Sequence, residues 1–197
     1  IKIKIDYINR EVDLYSKNLN FLKYFDIKEN QLLLKTNTIN ISEDIFIPKN
    51  FSVKIYGGQK IILLNDAFII SESPWIAKSK KNNQIIISGY KNNFGGGLLI
   101  YSTNEKSTFE NVNFSYLNGM KNNQKSFNNG LIIMGALNFY KTKTDLINVN
   151  FKKINSEDAI NIFRSSFKIE NIKFIGNSSD AIDFDFSNGD ISNAFFE

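Results

Sequence analysis

The hexapeptide Gly135-Ala136-Leu137-Asn138-Phe139-Tyr140 returns as Asp158-Ala159-Ile160-Asn161-Ile162-Phe163 and again as Asp180-Ala181-Ile182-Asp183-Phe184-Asp185, at spacings of 23 and 22 residues. A second phrase keeps step with it: Asn148-Val149-Asn150-Phe151, then Asn171-Ile172-Lys173-Phe174, then Asn193-Ala194-Phe195-Phe196. Two phrases locked at one period mean one structural unit repeated. A short period built from β-branched and aromatic runs with Asn and Gly between them is the pattern of stacked β-coils, each burying its apolar face against its neighbours. Alternation along each phrase points Ile160 and Ile162 inward, over Leu137 and Phe139 and under Ile182 and Phe184, at a strand spacing of roughly 4.8 Å. Asn161 and Phe163 then face out.

Outward from these coils the pattern weakens but persists. Strands are expected at 39–41, 45–47, 51–56, 61–64, 67–70, 84–88 and 98–101. The phrase Asn111-Val112-Asn113-Phe114 matches the second repeat, yet lies 37 residues before its next copy. An inserted excursion accounts for the difference, and the polar run at 118–129 is its expected place. Near the start, Ile8, Val12, Tyr15, Leu19 and Leu22 form an apolar stripe that predicts a helix over 7–25, suited to covering the open end of a stack. The chain thus divides into a cap at 1–31 and a solenoid at 32–197 of roughly six to eight coils. Beginning at Ile1 and ending just after an apolar run, the sequence reads as a piece whose coils continue beyond residue 197.

With 197 residues, two prolines and 42% apolar residues, the composition excludes extensive disorder. There is no cysteine for a disulfide or a thiolate and no histidine for an imidazole base. No run of about 18 apolar residues is present to span a membrane. The net charge of +4 is spread over scattered lysines, which reads as a solvated basic surface and not as a nucleic-acid footprint. Charge also segregates. After Lys173 there is no Lys or Arg, against Asp180, Asp183, Asp185, Asp190 and Glu197.

The turn asparagines Asn111, Asn148, Asn171 and Asn193, with the Gly/Asp-Ala phrases, resemble the right-handed parallel β-helix superfamily of pectate lyases, polygalacturonases, alginate epimerases and phage tailspikes. The similarity covers 32–197 and extends to β-helix segments of large bacterial surface proteins. It implies an all-β, right-handed parallel β-helix with three strands per coil, and a secreted or cell-surface setting. It also implies a polysaccharide ligand along the outward face of the first strand column. There Asn138, Tyr140, Asn161, Phe163, Asp183 and Asp185 are the candidate binding residues, because aromatics stack on sugar rings and Asn or Asp bonds to their hydroxyls.

Asp183 and Asp185 sit about 7 Å apart on one strand face and are candidate ligands for Ca²⁺ or candidate acid and base groups. Asp158 and Asp180 occupy one turn position in successive coils and read as turn caps. Arg164, equivalent to Lys141, completes the catalytic candidates. The superfamily's polygalacturonase and epimerase motifs are absent as such, so lyase or epimerase activity stays open beside a non-catalytic rod or adhesin. No organic cofactor motif is present.

Overall fold

The computed structural model describes residues 19–120, 126–127 and 131–197. They form a parallel β-solenoid of about seven turns. Each coil contributes to three faces. The first sheet stacks Ile45–Ile47, Phe68–Ser71, Gly97–Tyr101, Gly135–Tyr140, Asp158–Phe163 and Asp180–Asp185. The second face runs from Gln31–Leu34 through Ser52–Tyr56, Trp75–Lys78, Ser107–Glu110 and Lys143–Ile147. The third runs from Thr38–Ile41 through Lys60–Leu63, Ile85–Ser88 and Val112–Ser115 to Asn150–Lys152. The long strands Ser166–Ile175 and Asn188–Phe196 bend through both of these faces and join them.

Register confirms the inward columns. Leu137, Ile160 and Ile182 are successive partners, as are Phe139, Ile162 and Phe184. Ile160 and Ile162 are completely buried. On the third face Phe114, Phe151, Phe174 and Phe196 stack with centroids 4.9, 5.3 and 5.3 Å apart. One strand spacing is close to the contact distance of parallel rings, so an aromatic at a fixed position in every coil packs on itself.

The bend between the second and third faces needs one left-handed residue. Asn111, Asn148, Asn171 and Asn193 supply it at φ between 53° and 56°. Asn tolerates this conformation better than most residues, and its amide then bonds along the stack. Asn193 Nδ2 donates to Asn171 Oδ1 at 3.0 Å and Asn171 Nδ2 to Asn148 Oδ1 at 3.1 Å. Asn111 ends its run differently, donating to the Ser79 carbonyl at 2.6 Å. A second amide row on the third face, Asn150 to Asn113 to Gln84, runs at 2.6 and 2.7 Å.

The start of the chain departs from expectation. Of the helix predicted over 7–25, residues 7–18 lie outside the described residues. The remainder is a short 3₁₀ turn at Asn20–Lys23, followed by the strand Phe25–Lys28. That strand pairs antiparallel with Gln31–Leu34, so β-structure begins before residue 32. Phe21 and Phe25 are buried in the first coil, and Phe21 rests 6.0 Å from Phe51. Packing of these two rings outweighs the helical spacing of the stripe. Within the expected excursion, Ser126–Phe127 pairs antiparallel with Leu131–Ile132.

Candidate functional site

The outward face of the first sheet is two surfaces. Over its first coils Phe46, Phe68, Ile70, Leu99 and Tyr101 are buried in a cluster of their own. Met120 and Ile133, which flank the excursion, pack on them, with Tyr140 at the margin. This half is therefore covered. Asn138 sits at the boundary, 3% exposed. Its Oδ1 accepts from Gly135 N at 2.9 Å, and its Nδ2 donates to Gly135 O at 2.6 Å and Leu98 O at 3.2 Å. The amide is fully engaged by backbone. Gly135 has to be glycine here, since a Cβ would lie 2.9 Å from both Asn138 Oδ1 and Asn161 N.

The open half begins one coil later with Tyr140, Asn161 and Phe163, each half-buried, and continues to half-buried Asp183 and exposed Asp185. Asn161 Nδ2 donates to Asp158 Oδ2 at 3.2 Å and to Asp183 Oδ2 at 3.1 Å, bridging carboxyls of adjacent coils. Asp158 is 2% exposed, and burial pushes its pKa up to about 6; the Asn161 bond works against the rise, while Asp183, Glu157 and Asp180 add to it. Partial burial, then the charge of Asp185, also raises Asp183. The side-chain bond of Asp158 is thus to Asn161, in place of the backbone cap its sequence position suggests. Asp180 is exposed, with its backbone N–H donating to Glu157 O.

Asp183 and Asp185 supply two carboxylates toward the about six to eight oxygens that Ca²⁺ takes. Among the described residues no group of three or more His, Cys, Asp or Glu side chains is placed to hold a metal.

The sheet's edge is richer than its centre. Where the first sheet turns into the second, Ser102, Lys141, Arg164 and Phe186 form a column in the left-handed conformation, at φ between 49° and 53°. Lys141 Nζ lies 5.0 Å from the Tyr140 ring centroid, and the Arg164 guanidinium lies 5.3 Å from Phe163 and 5.9 Å from Phe186. The rings form a staircase, Tyr140 to Phe163 and Phe163 to Phe186 both at 5.6 Å. Phe186 is 83% exposed. Beside this column runs a row of hydroxyls. Those of Thr103 and Thr142 bond to each other, Ser165 Oγ accepts from Thr142 N at 3.2 Å, and Ser187 Oγ accepts from Ser165 N at 3.1 Å.

Along this corner lie two depressions of about 370 and 520 Å³ that share Thr103 and Asn104. Together they pass the starts of six neighbouring strands of the second face, from Ser52 to Asn188, a length of about 24 Å. Lys141, Lys143 and Arg164 line the larger one.

Of the expected binding residues, the fold brings Tyr140, Asn161, Phe163, Asp183 and Asp185 onto one open surface and leaves Asn138 beneath it. Phe186, Lys143 and the hydroxyl row are additions. Their signal was in the sequence, because Thr142, Ser165 and Ser187 repeat at the same 23 and 22 as the main phrase. Comparison with protein-family models, with curated proteins and with solved structures finds no match to this chain.

Proposed function

We propose that the protein binds an extended polysaccharide along its last three coils, on the open half of the first sheet and the groove beside it. The observation that carries this reading is the staircase Tyr140, Phe163 and Phe186, flanked on the same surface by Asn161, Asp183 and Asp185 and opening into the larger depression, which Phe186 also lines. Aromatic faces take the apolar faces of sugar rings, and amides and carboxylates bond to their hydroxyls. A regular axial repeat suits a polymer with a repeat of its own, and polysaccharide in that form belongs to a secreted or cell-surface setting.

A lyase or epimerase step on the same surface would draw on Asp183, whose pKa is raised by partial burial and by the charge of Asp185. Arg164, whose guanidinium lies over Phe163, serves as an electrostatic group there. The test is a glycan array followed by a polysaccharide-cleavage assay, each with and without Ca²⁺ to examine Asp183 and Asp185. Binding lost in Phe163→Ala supports the proposal. Absence of binding to every glycan makes the solenoid a rod that sets a distance between other parts.

A further inference from the structure

We infer that the site takes a chain end: the terminal unit of the polysaccharide stops on Tyr140, against a wall made by Met120 and Ile133, and the polymer leaves toward Phe186; this rests on the polysaccharide reading above. The rings set the line that a ligand follows. Tyr140 and Phe163 are register partners, and on its other side Tyr140 is the partner of Tyr101. Continued past Tyr140, the line therefore runs onto Tyr101, one strand spacing of roughly 4.8 Å away.

That continuation is closed. Tyr101 is 1% exposed and lies in one apolar cluster with Leu99, Met120 and Ile133, and Tyr140 packs against the margin of that cluster. The neighbouring outward column closes as well. There Asn161 is half-buried, while its partner Asn138, whose amide is taken up by backbone, and then Leu99 are buried. In the other direction exposure grows, and Phe186 stands almost fully in solvent. Met120 and Ile133 are themselves buried, so the wall belongs to the packed cluster and a ligand does not slide beneath it. The interior of a polymer needs a strip open at both ends, whereas a chain end needs one. Three rings in two steps of 5.6 Å then supply stacking faces for the terminal unit and the units that follow it.

Calorimetric titration with linear fractions of polygalacturonate and of amylose, about 10, 20 and 40 units long, tests this by counting the protein bound per chain. The count should stay at one for every length of a polymer that binds. Tyr140→Ala should weaken binding about tenfold while keeping the parent's circular dichroism, since it removes the terminal stacking face. Borohydride reduction of the chains opens the ring at the reducing end. Lost binding then assigns the held end as the reducing one, and an unchanged count of one assigns it as the other. A count rising about fourfold from the shortest to the longest fraction, with Phe163→Ala disruptive, overturns chain-end recognition and leaves polysaccharide binding standing. A silent Tyr140→Ala beside a disruptive Phe163→Ala does the same. Failure of both polymers at every length overturns both.

Discussion

Replacing Asp158 with Asn should stabilise the protein at neutral pH, although it removes a buried, hydrogen-bonded side chain. Asp158 is 2% exposed, its one side-chain donor is Asn161 Nδ2, and the charges around it are Asp183, Glu157 and Asp180. A carboxyl raised from 3.8 to about 6 loses about 3 kcal/mol of folded-state free energy when it ionises. The direction follows from linkage. A group whose folded pKa lies above its unfolded value contributes stability that is full below about pH 4 and is lost as pH rises through about 6. Asp158→Asn stays neutral, keeps an oxygen to accept from Asn161, and relieves the repulsion on Asp183. Urea unfolding at pH 7.5 should therefore favour the variant by about 2 to 3 kcal/mol, with the advantage shrinking toward zero near pH 4. A variant less stable than the parent at pH 7.5, or a difference that does not change with pH, would refute the reasoning.

Ile160→Asp places a charge within a column of fully buried aliphatics and should cost at least about 4 kcal/mol, whereas Phe163→Ser on the outward face should cost far less; urea midpoints compare the two. Asn171→Ala removes its hydrogen bonds to Asn148 and Asn193 and puts alanine at φ 54°, for a loss of about 2 kcal/mol in the same assay. Arg164→Asn should raise the unfolding free energy by about 1 kcal/mol by easing the left-handed turn, yet weaken polysaccharide binding in the depression that Arg164 lines. That opposition of stability and binding distinguishes a functional corner from an indifferent one.

Fold was legible wherever one residue type held one job in every coil. The inward Leu and Ile, the turn Asn and the stacked Phe of the third face repeat at 23 and 22, and the repeat alone located them. Trp75–Lys78 escaped notice because a Glu72-to-Pro74 turn lies directly before it, with no alternating run to announce a strand. Outward parity was read correctly, but parity does not say what lies on top. Asn138 and Asn161 hold equivalent positions, yet Asn138 is shut in by its backbone bonds and Asn161 stays half open. What differs between them is their long-range surroundings, which a local repeat cannot carry. The corner groove was hidden for a related reason. It is made by turn and strand-start residues spread over more than 130 residues, and only stacking brings them into line.

Polysaccharide binding on the last three coils is tested most directly by mapping backbone amide chemical shifts while oligomers of polygalacturonate are added. The account predicts shifts concentrated at 140–143, 163–166 and 183–188, saturating together with one dissociation constant. Shifts centred on the third face, or an unchanged spectrum at millimolar oligomer, would contradict it.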